Sequence, residues 1–92
     1  MESIIQKDKE CFICGSTQNL HCHHIFHGTA NRKVSEENGF KVWLCMEHHT
    51  GAHGVHSDGF LNLGLKQYTQ RYYEANKGNR DAFIKLIGKS YL

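Results

Sequence analysis

Hydrophobic and polar positions along the chain divide it into short elements. In residues 1–10, MESIIQKDKE, only Ile4 and Ile5 interrupt a polar run, which reads as a flexible or weakly docked arm. CFICG, from Cys11 to Gly15, is a tight knuckle closed by glycine. NLHCHHIF alternates loosely and stops before Gly28, as a strand does. GTANRKVSEENG is polar and glycine-bounded, so the pattern predicts a loop with at most a short turn. FKVWLC is aromatic and β-branched and predicts a second strand. MEHHTGAHGVH predicts a short helix weakened by Gly51 and Gly54. Beyond it the period becomes helical. In FLNLGLKQYTQRYYEAN, Leu61, Leu65, Tyr68 and Tyr72 share one face, Ser57 or Asp58 caps the start, and Gly78 closes the segment. NRDAFIKLIGKSYL predicts a last helix with Asn79 as N-cap, Phe83, Leu86 and Ile87 as its apolar stripe, and Gly88 as its stop.

This order of elements predicts an α+β domain in three stretches: an arm (1–10), a two-strand core with its short helix (11–56), and a helical extension of the same domain (57–92). With 92 residues there is room for one small core, and domains of this size often add a metal or disulfides. There is no proline and no repeat. The net charge of +2 argues only weakly for a polyanionic partner. The histidines change the picture, because all eight lie between His21 and His56. The N-terminus carries no apolar signal segment and no run has membrane-spanning length. A cytoplasmic setting with reduced thiols is therefore expected, and Cys11, Cys14, Cys22 and Cys45 read as ligands sooner than as disulfides.

Cys11, Cys14, Cys45 and His48 form Cys-x2-Cys, a gap of 30 residues, then Cys-x2-His. Each close pair lets one turn aim two ligands at one ion, and two such turns close a tetrahedral structural zinc site. His49 is the alternative fourth ligand, although spacing favours His48. Cys22 has no spaced partner and reads as a small buried side chain. The remaining histidines suggest a second centre. His23 and His24 fall on opposite faces of a strand, while His49, His53 and His56 are spaced i, i+4, i+7 along a helix. His23 with those three would make an open nitrogen site, leaving His24 unligated and free to take a proton. Thr50, Gly51 and Ala52 stand between His49 and His53, so the glutamate of a zinc-protease helix is absent.

The succession CFIC, HHI, a polar loop, VWLCMEHH and HGVH resembles the HNH endonucleases of the ββα-metal type that carry a zinc knuckle, in their small phage- or prophage-encoded form. The resemblance covers Cys11 to His56, and the tail AFIKLIGKSYL is similar to the last helix of such phage proteins. It implies a zinc-stapled ββα-metal core followed by two helices. It also implies a metal on His23 and His49, completed by His53 or its rival His56, with His24 as general base. The family's central asparagine falls here on Phe40, and Asn38, two residues earlier, is the candidate in its place, with Asn31 farther back.

On this resemblance the protein is expected to hydrolyse phosphodiester bonds in DNA. It would use a structural zinc and a second divalent ion (Zn, Mn, Ni, Co or Mg). Arg32, Lys33 and Lys41 are the expected phosphate contacts. Trp43 reads as core, and Tyr68, Tyr72 and Tyr73 as helix packing. A bacterial cytoplasm and a phage or host recombination or packaging protein are the implied setting and partner. The rival expectation is a non-catalytic zinc module that binds nucleic acid or a protein, as a phage regulatory or host-inhibitory factor would.

Overall fold

The computed structural model describes residues 2–92. Two antiparallel strands, β1 (Leu20–His24) and β2 (Lys41–Cys45), flank helix α1 (Thr29–Asn38) in sequence. A single-turn helix α2 (Met46–His49) follows β2 directly, and α3 (Gly59–Asn76) and α4 (Arg80–Ile87) complete the chain. The fold is thus a small α+β unit of one sheet and four helices among the described residues.

The strands pair with His23 opposite Val42 and His24 opposite Lys41. Ile25 N–H then donates to Phe40 C=O (2.8 Å), carrying the pairing one step past the strand end. The other edge of β2 is covered by the N-terminal segment. Ile4 N–H donates to Gly39 C=O (3.0 Å), Trp43 N–H donates to Gln6 Oε1 (2.8 Å), and Phe12 N–H donates to Trp43 C=O (2.9 Å). Of the two readings of this segment, flexible or weakly docked, the docked one describes it: it lies against an otherwise open strand edge, with Ile4 and Ile5 packed on the core.

The segment read as a polar loop is α1, and the reason for the misreading is chemical. Its inward residues, Asn31, Val34, Ser35 and Asn38, have helical spacing, but only one is apolar. The fully buried Ser35 hydroxyl accepts from Phe26 N–H (3.2 Å) and donates to Phe26 C=O (3.0 Å). Asn31 Nδ2 donates to Ile87 C=O (3.1 Å) and ties α1 to α4. The two bounding glycines are the helix's own caps. Gly39 is left-handed (φ 72°), and a Cβ there would collide with the Glu2 carbonyl.

Phe26, Phe40 and Phe83 form the centre of the core with no exposed surface, their ring centroids 5.4–6.2 Å apart. Tyr73 packs on Phe40 and Phe83, as expected of a packing tyrosine. The buried face of α3 includes Leu65, with Leu61 packed beside it, as expected, but it continues through Thr69 and Gln70, while Tyr68 is exposed and meets the edge of Phe12. Gln70 is buried because the chain end satisfies it. It donates to Ser90 Oγ (2.9 Å) and Glu74 Oε2 (2.7 Å) and accepts from Tyr91 N–H (2.8 Å). Asp58, not Ser57, caps α3, and Asn79 and Gly88 bound α4 as the sequence indicates. Trp43 is only half-buried, with the Lys9 ammonium 4.5 Å from its ring.

Phe83→Ala would open a cavity where three aromatic rings meet. The expected loss is about 3–5 kcal/mol, a large share of a small domain's stability, and it is read by urea denaturation of metal-loaded protein.

Candidate metal centres

The turn from β2 into α2 supplies both centres. Cys45 ends the strand, and His48 and His49 are neighbours on the single turn of α2 that follows. Adjacent helical residues diverge by about 100°, so the two imidazoles face different ways. His48 turns to the cysteines and His49 to the other histidines.

In the first centre the ligand atoms of Cys11, Cys14, Cys45 and His48 all lie within 4.8 Å of one another. Cys14 Sγ is 3.7 Å from Cys45 Sγ, and His48 Nδ1 is 3.3 Å from Cys45 Sγ and 3.8 Å from Cys11 Sγ. Tetrahedral zinc with ordinary bond lengths requires S···S and S···N edges of about 3.8 and 3.6 Å, so the donors fit. The knuckle is shaped by its backbone: Cys11 N–H donates to Ser16 C=O and Gly15 N–H to Cys11 C=O (both 2.8 Å), with Gly15 at φ 79°. Burial raises the Cys11 pKa, but backbone bonds from Cys45, Cys14 and Ile13 outweigh it and bring the thiol down to about 6. The Cys14 thiol is pushed up overall: a backbone bond from Ser16 favours its thiolate, but desolvation and the sulfurs of Cys11 and Cys45 prevail. Three sulfurs this close ionise together only around a cation, which is the chemistry of a structural zinc site.

The second centre joins His23, His49 and His56, whose ligand nitrogens also lie within 4.8 Å of one another. His49 Nε2 is 3.1 Å from His56 Nε2, and His49 Nδ1 is 3.0 Å from His21 Nδ1. Nitrogens bound to one ion at about 2.0–2.1 Å stand roughly 2.9–3.4 Å apart, so the His49–His56 pair has ligand spacing. His21 reaches the far nitrogen of His49 and is placed to fix that ring's orientation. His23 is 2% exposed, and its Nε2 is buried with no hydrogen-bond partner. Burial, then the facing His27, His49 and His56 rings, lower its pKa to about 3. His49 is lowered too, by burial and then by His56 and His21. These rings are therefore neutral at physiological pH and present lone pairs to a cation. An orphaned buried nitrogen facing two further imidazoles is what an ion would satisfy.

The helical register expected for His49, His53 and His56 does not occur, because α2 ends at His49. The chain turns back through Gly51 and Gly54 instead. A Cβ on Gly54 would lie 2.7 Å from the His49 carbonyl group, so the turn can approach only without one. Val55 N–H then donates to His48 C=O (3.0 Å) and His56 N–H to His49 C=O (3.3 Å), with Val55 buried beneath. This return places His56 against His49 and leaves His53 outside, exposed and 4.0 Å from Glu47. His27, to which the sequence assigns no chemistry, lies 5.1 Å from His23 and 5.7 Å from His56 by ring centroid. No spacing marked it, since the strand had already ended at His24.

A cleft of about 570 Å³ opens over these histidines, and His24, Gly28, Thr29 and Arg32 line it as well. His24 Nε2 is 3.0 Å from Glu36 Oε1, and Lys41 Nζ bonds the other carboxylate oxygen (2.5 Å). Lys41 and then His24 hold the Glu36 carboxyl at about 2. A carboxylate only accepts, so His24 carries its proton on Nε2 and, when neutral, keeps its lone pair on Nδ1. Lys41 is thereby committed to Glu36. Lys33 points outward near Glu37 (4.0 Å), and Arg32 is the expected cation that reaches the cleft. Asn38 is not brought to the site: its Nδ2 donates to Val34 C=O (2.9 Å) within α1. Cys22 is exposed in the cleft wall and not the buried side chain expected.

Comparison with known proteins finds no matching family model, no similar curated protein and no similar solved structure. No helix among the described residues is long and apolar enough to cross a membrane.

The two centres are expected to separate on mutation. Cys11→Ser should lose a tightly held zinc and the fold with it, read by elemental analysis and circular dichroism. His49→Ala and His56→Ala should keep that zinc and lose a second, exchangeable ion, whereas His53→Ala should keep both. Retention of the second ion in His56→Ala would refute the three-histidine centre.

Proposed function

We propose that the protein is a metal-dependent endonuclease of the HNH type that hydrolyses phosphodiester bonds in DNA. The observation that carries this reading is the unpartnered, buried His23 Nε2 beside His49 and His56, in a cleft that also exposes an unligated histidine and an arginine. Histidine-only donors suit Zn, Mn, Co or Ni better than Mg, which prefers oxygen. A divalent ion there would supply Lewis-acid stabilisation of charge on a phosphoryl oxygen.

The chain's own residues do the rest. His23, His49 and His56 would hold the ion, with His21 behind His49. His24 takes a proton from water on Nδ1, because Glu36 occupies Nε2–H. Glu36, steadied by Lys41, keeps that ring from rotating and selects its tautomer. In this reading Glu36 does for His24 what the family's asparagine would do, and Asn38 has only a helical role. The Cys3His centre sets the position of α2 and so of His49.

One observation favours a second reading, a non-catalytic zinc module: among the described residues no asparagine side chain is hydrogen-bonded to His24, and Asn38 bonds within α1 instead. Plasmid nicking over a series of divalent ions separates the two. The nuclease reading expects cleavage by the wild type, loss of roughly 10²–10⁴-fold in His24→Ala with the fold intact, and a smaller fall in kcat in Glu36→Ala. Absence of cleavage with every ion, together with one zinc per chain, would assign the module instead.

A further inference from the structure

Two buried side-chain atoms of the described residues have no hydrogen-bond partner, His23 Nε2 and Asn62 Oδ1. The first belongs to the histidine centre. The second is on α3, an element that supplies no ligand to that centre. His27 meets both residues. Its ring centroid is 5.1 Å from that of His23 and 5.7 Å from that of His56, and Asn62 is the hydrogen-bonding side chain that acts on it. The backbone fixes this position. Phe26, just before it, is buried and bonded to the Ser35 hydroxyl through both N–H (3.2 Å) and C=O (3.0 Å). Gly28, just after it, turns the chain into α1 at φ 89°. Asn62 is set by α3, where its N–H donates to Asp58 C=O (3.0 Å).

The ring separations are those of imidazoles that share an ion. Two imidazoles on one tetrahedral ion, bound at about 2.0–2.1 Å, place their centroids about 5 Å apart. The His23–His49, His23–His56 and His49–His56 pairs stand at 5.3, 5.4 and 4.7 Å. The His23–His27 distance falls among these, and the His27–His56 distance lies just beyond them. A ligating histidine also needs an acceptor for the N–H on its other nitrogen. Asn62 Oδ1 is an acceptor with nothing to accept. An N–H turned to it leaves the second His27 nitrogen with its lone pair. Burial and then the Lys66 ammonium keep the His27 ring neutral, against the pull of Asn62 toward the protonated form.

We propose that His27 is a fourth nitrogen donor of the histidine centre, held to it by Asn62 of α3, so that the centre takes a borderline divalent ion such as Zn, Co or Ni in an all-imidazole shell. His27 stands one step outside the three nitrogens that cluster within 4.8 Å, and its ring is exposed, so turning that ring closes the shell. The inference rests on the three-histidine centre and not on the reaction carried out there. On the nuclease reading, His27 is the exposed donor that an incoming phosphate oxygen would displace.

The test uses the full chain with zinc in its sulfur centre, titrated with Co(II) as the probe of the second. Visible absorption reads the coordination of the cobalt, and competition with a chromophoric chelator reads its affinity. The wild type should give the intense bands of a four-coordinate ion. His27→Ala should bind cobalt at least about tenfold more weakly and show the fainter bands of an ion that has taken up water, with circular dichroism and sulfur-bound zinc unchanged. Asn62→Leu should weaken binding by a similar factor. Asn62→Asp should strengthen it, since a carboxylate behind a ligating imidazole raises its basicity, and that gain should vanish in a His27→Ala background. Wild-type affinity and spectrum in His27→Ala would overturn the proposal. So would a gain in Asn62→Asp that survives without His27, because that is the effect of charge alone. His49→Ala is the control for the centre itself. If it loses the cobalt while His27→Ala keeps it unchanged, His27 is no ligand and the three-histidine centre stands. If the wild type takes up no cobalt beyond the sulfur centre, both fall.

Discussion

The rest of the molecule depends on one turn of helix. α2 has four residues, too few to be stable alone, and is held at both ends. Below it, Cys45 and His48 are drawn to the knuckle cysteines; above it, the returning segment bonds the carbonyls of His48 and His49. With α2 fixed this way, His49 has one direction to point in. The ring faces His23 on β1 because the antiparallel register sets that strand against β2 at a defined step. Geometry at the histidine centre is thus inherited from sulfur and backbone contacts that never enter the cleft.

The arrangement suits a chain of 92 residues. Its apolar core runs from three phenylalanines to Leu44, Val55, Cys11 and Cys45, and a core of this size leaves little stability to spare for holding a one-turn helix in place. Polar groups take over structural duties elsewhere. Ser35 closes the end of β1, Asn31 joins α1 to α4, and Gln70 binds the C-terminal residues to α3. Each has its hydrogen-bond partners, with the Glu74 carboxylate among those of Gln70, so taking it out of water carries little penalty.

These polar contacts also mark the limit of what the sequence could show. The strands, the caps Asn79 and Gly88, and the division of His48 from His49 were legible, because they follow from local spacing and propensity. The Cys-x2-Cys and Cys-x2-His pairs were legible for the same reason, each being a single turn. Helix α1 was not, since its inward face is mostly polar and hydropathy has no signal for a buried Ser35. The choice of His56 over His53 was hidden too. It depends on a glycine turn that breaks the helical period, and only close approach of Gly54 to His49 reveals it. Glu36 could not be found from spacing, because its meeting with His24 requires α1 to exist.

The return through Gly54 has a consequence for how such a centre can change over evolutionary time. His56 is placed by main-chain bonds at positions 55 and 56, and those bonds are indifferent to the side chain at 56. The donor there can be exchanged without rebuilding the scaffold. A carboxylate at that position would turn an all-nitrogen set into a mixed one, moving affinity from zinc toward harder ions such as manganese or magnesium. The preference for any ion held there would thus be set at one residue, while the sulfur cluster beside α2 stays untouched.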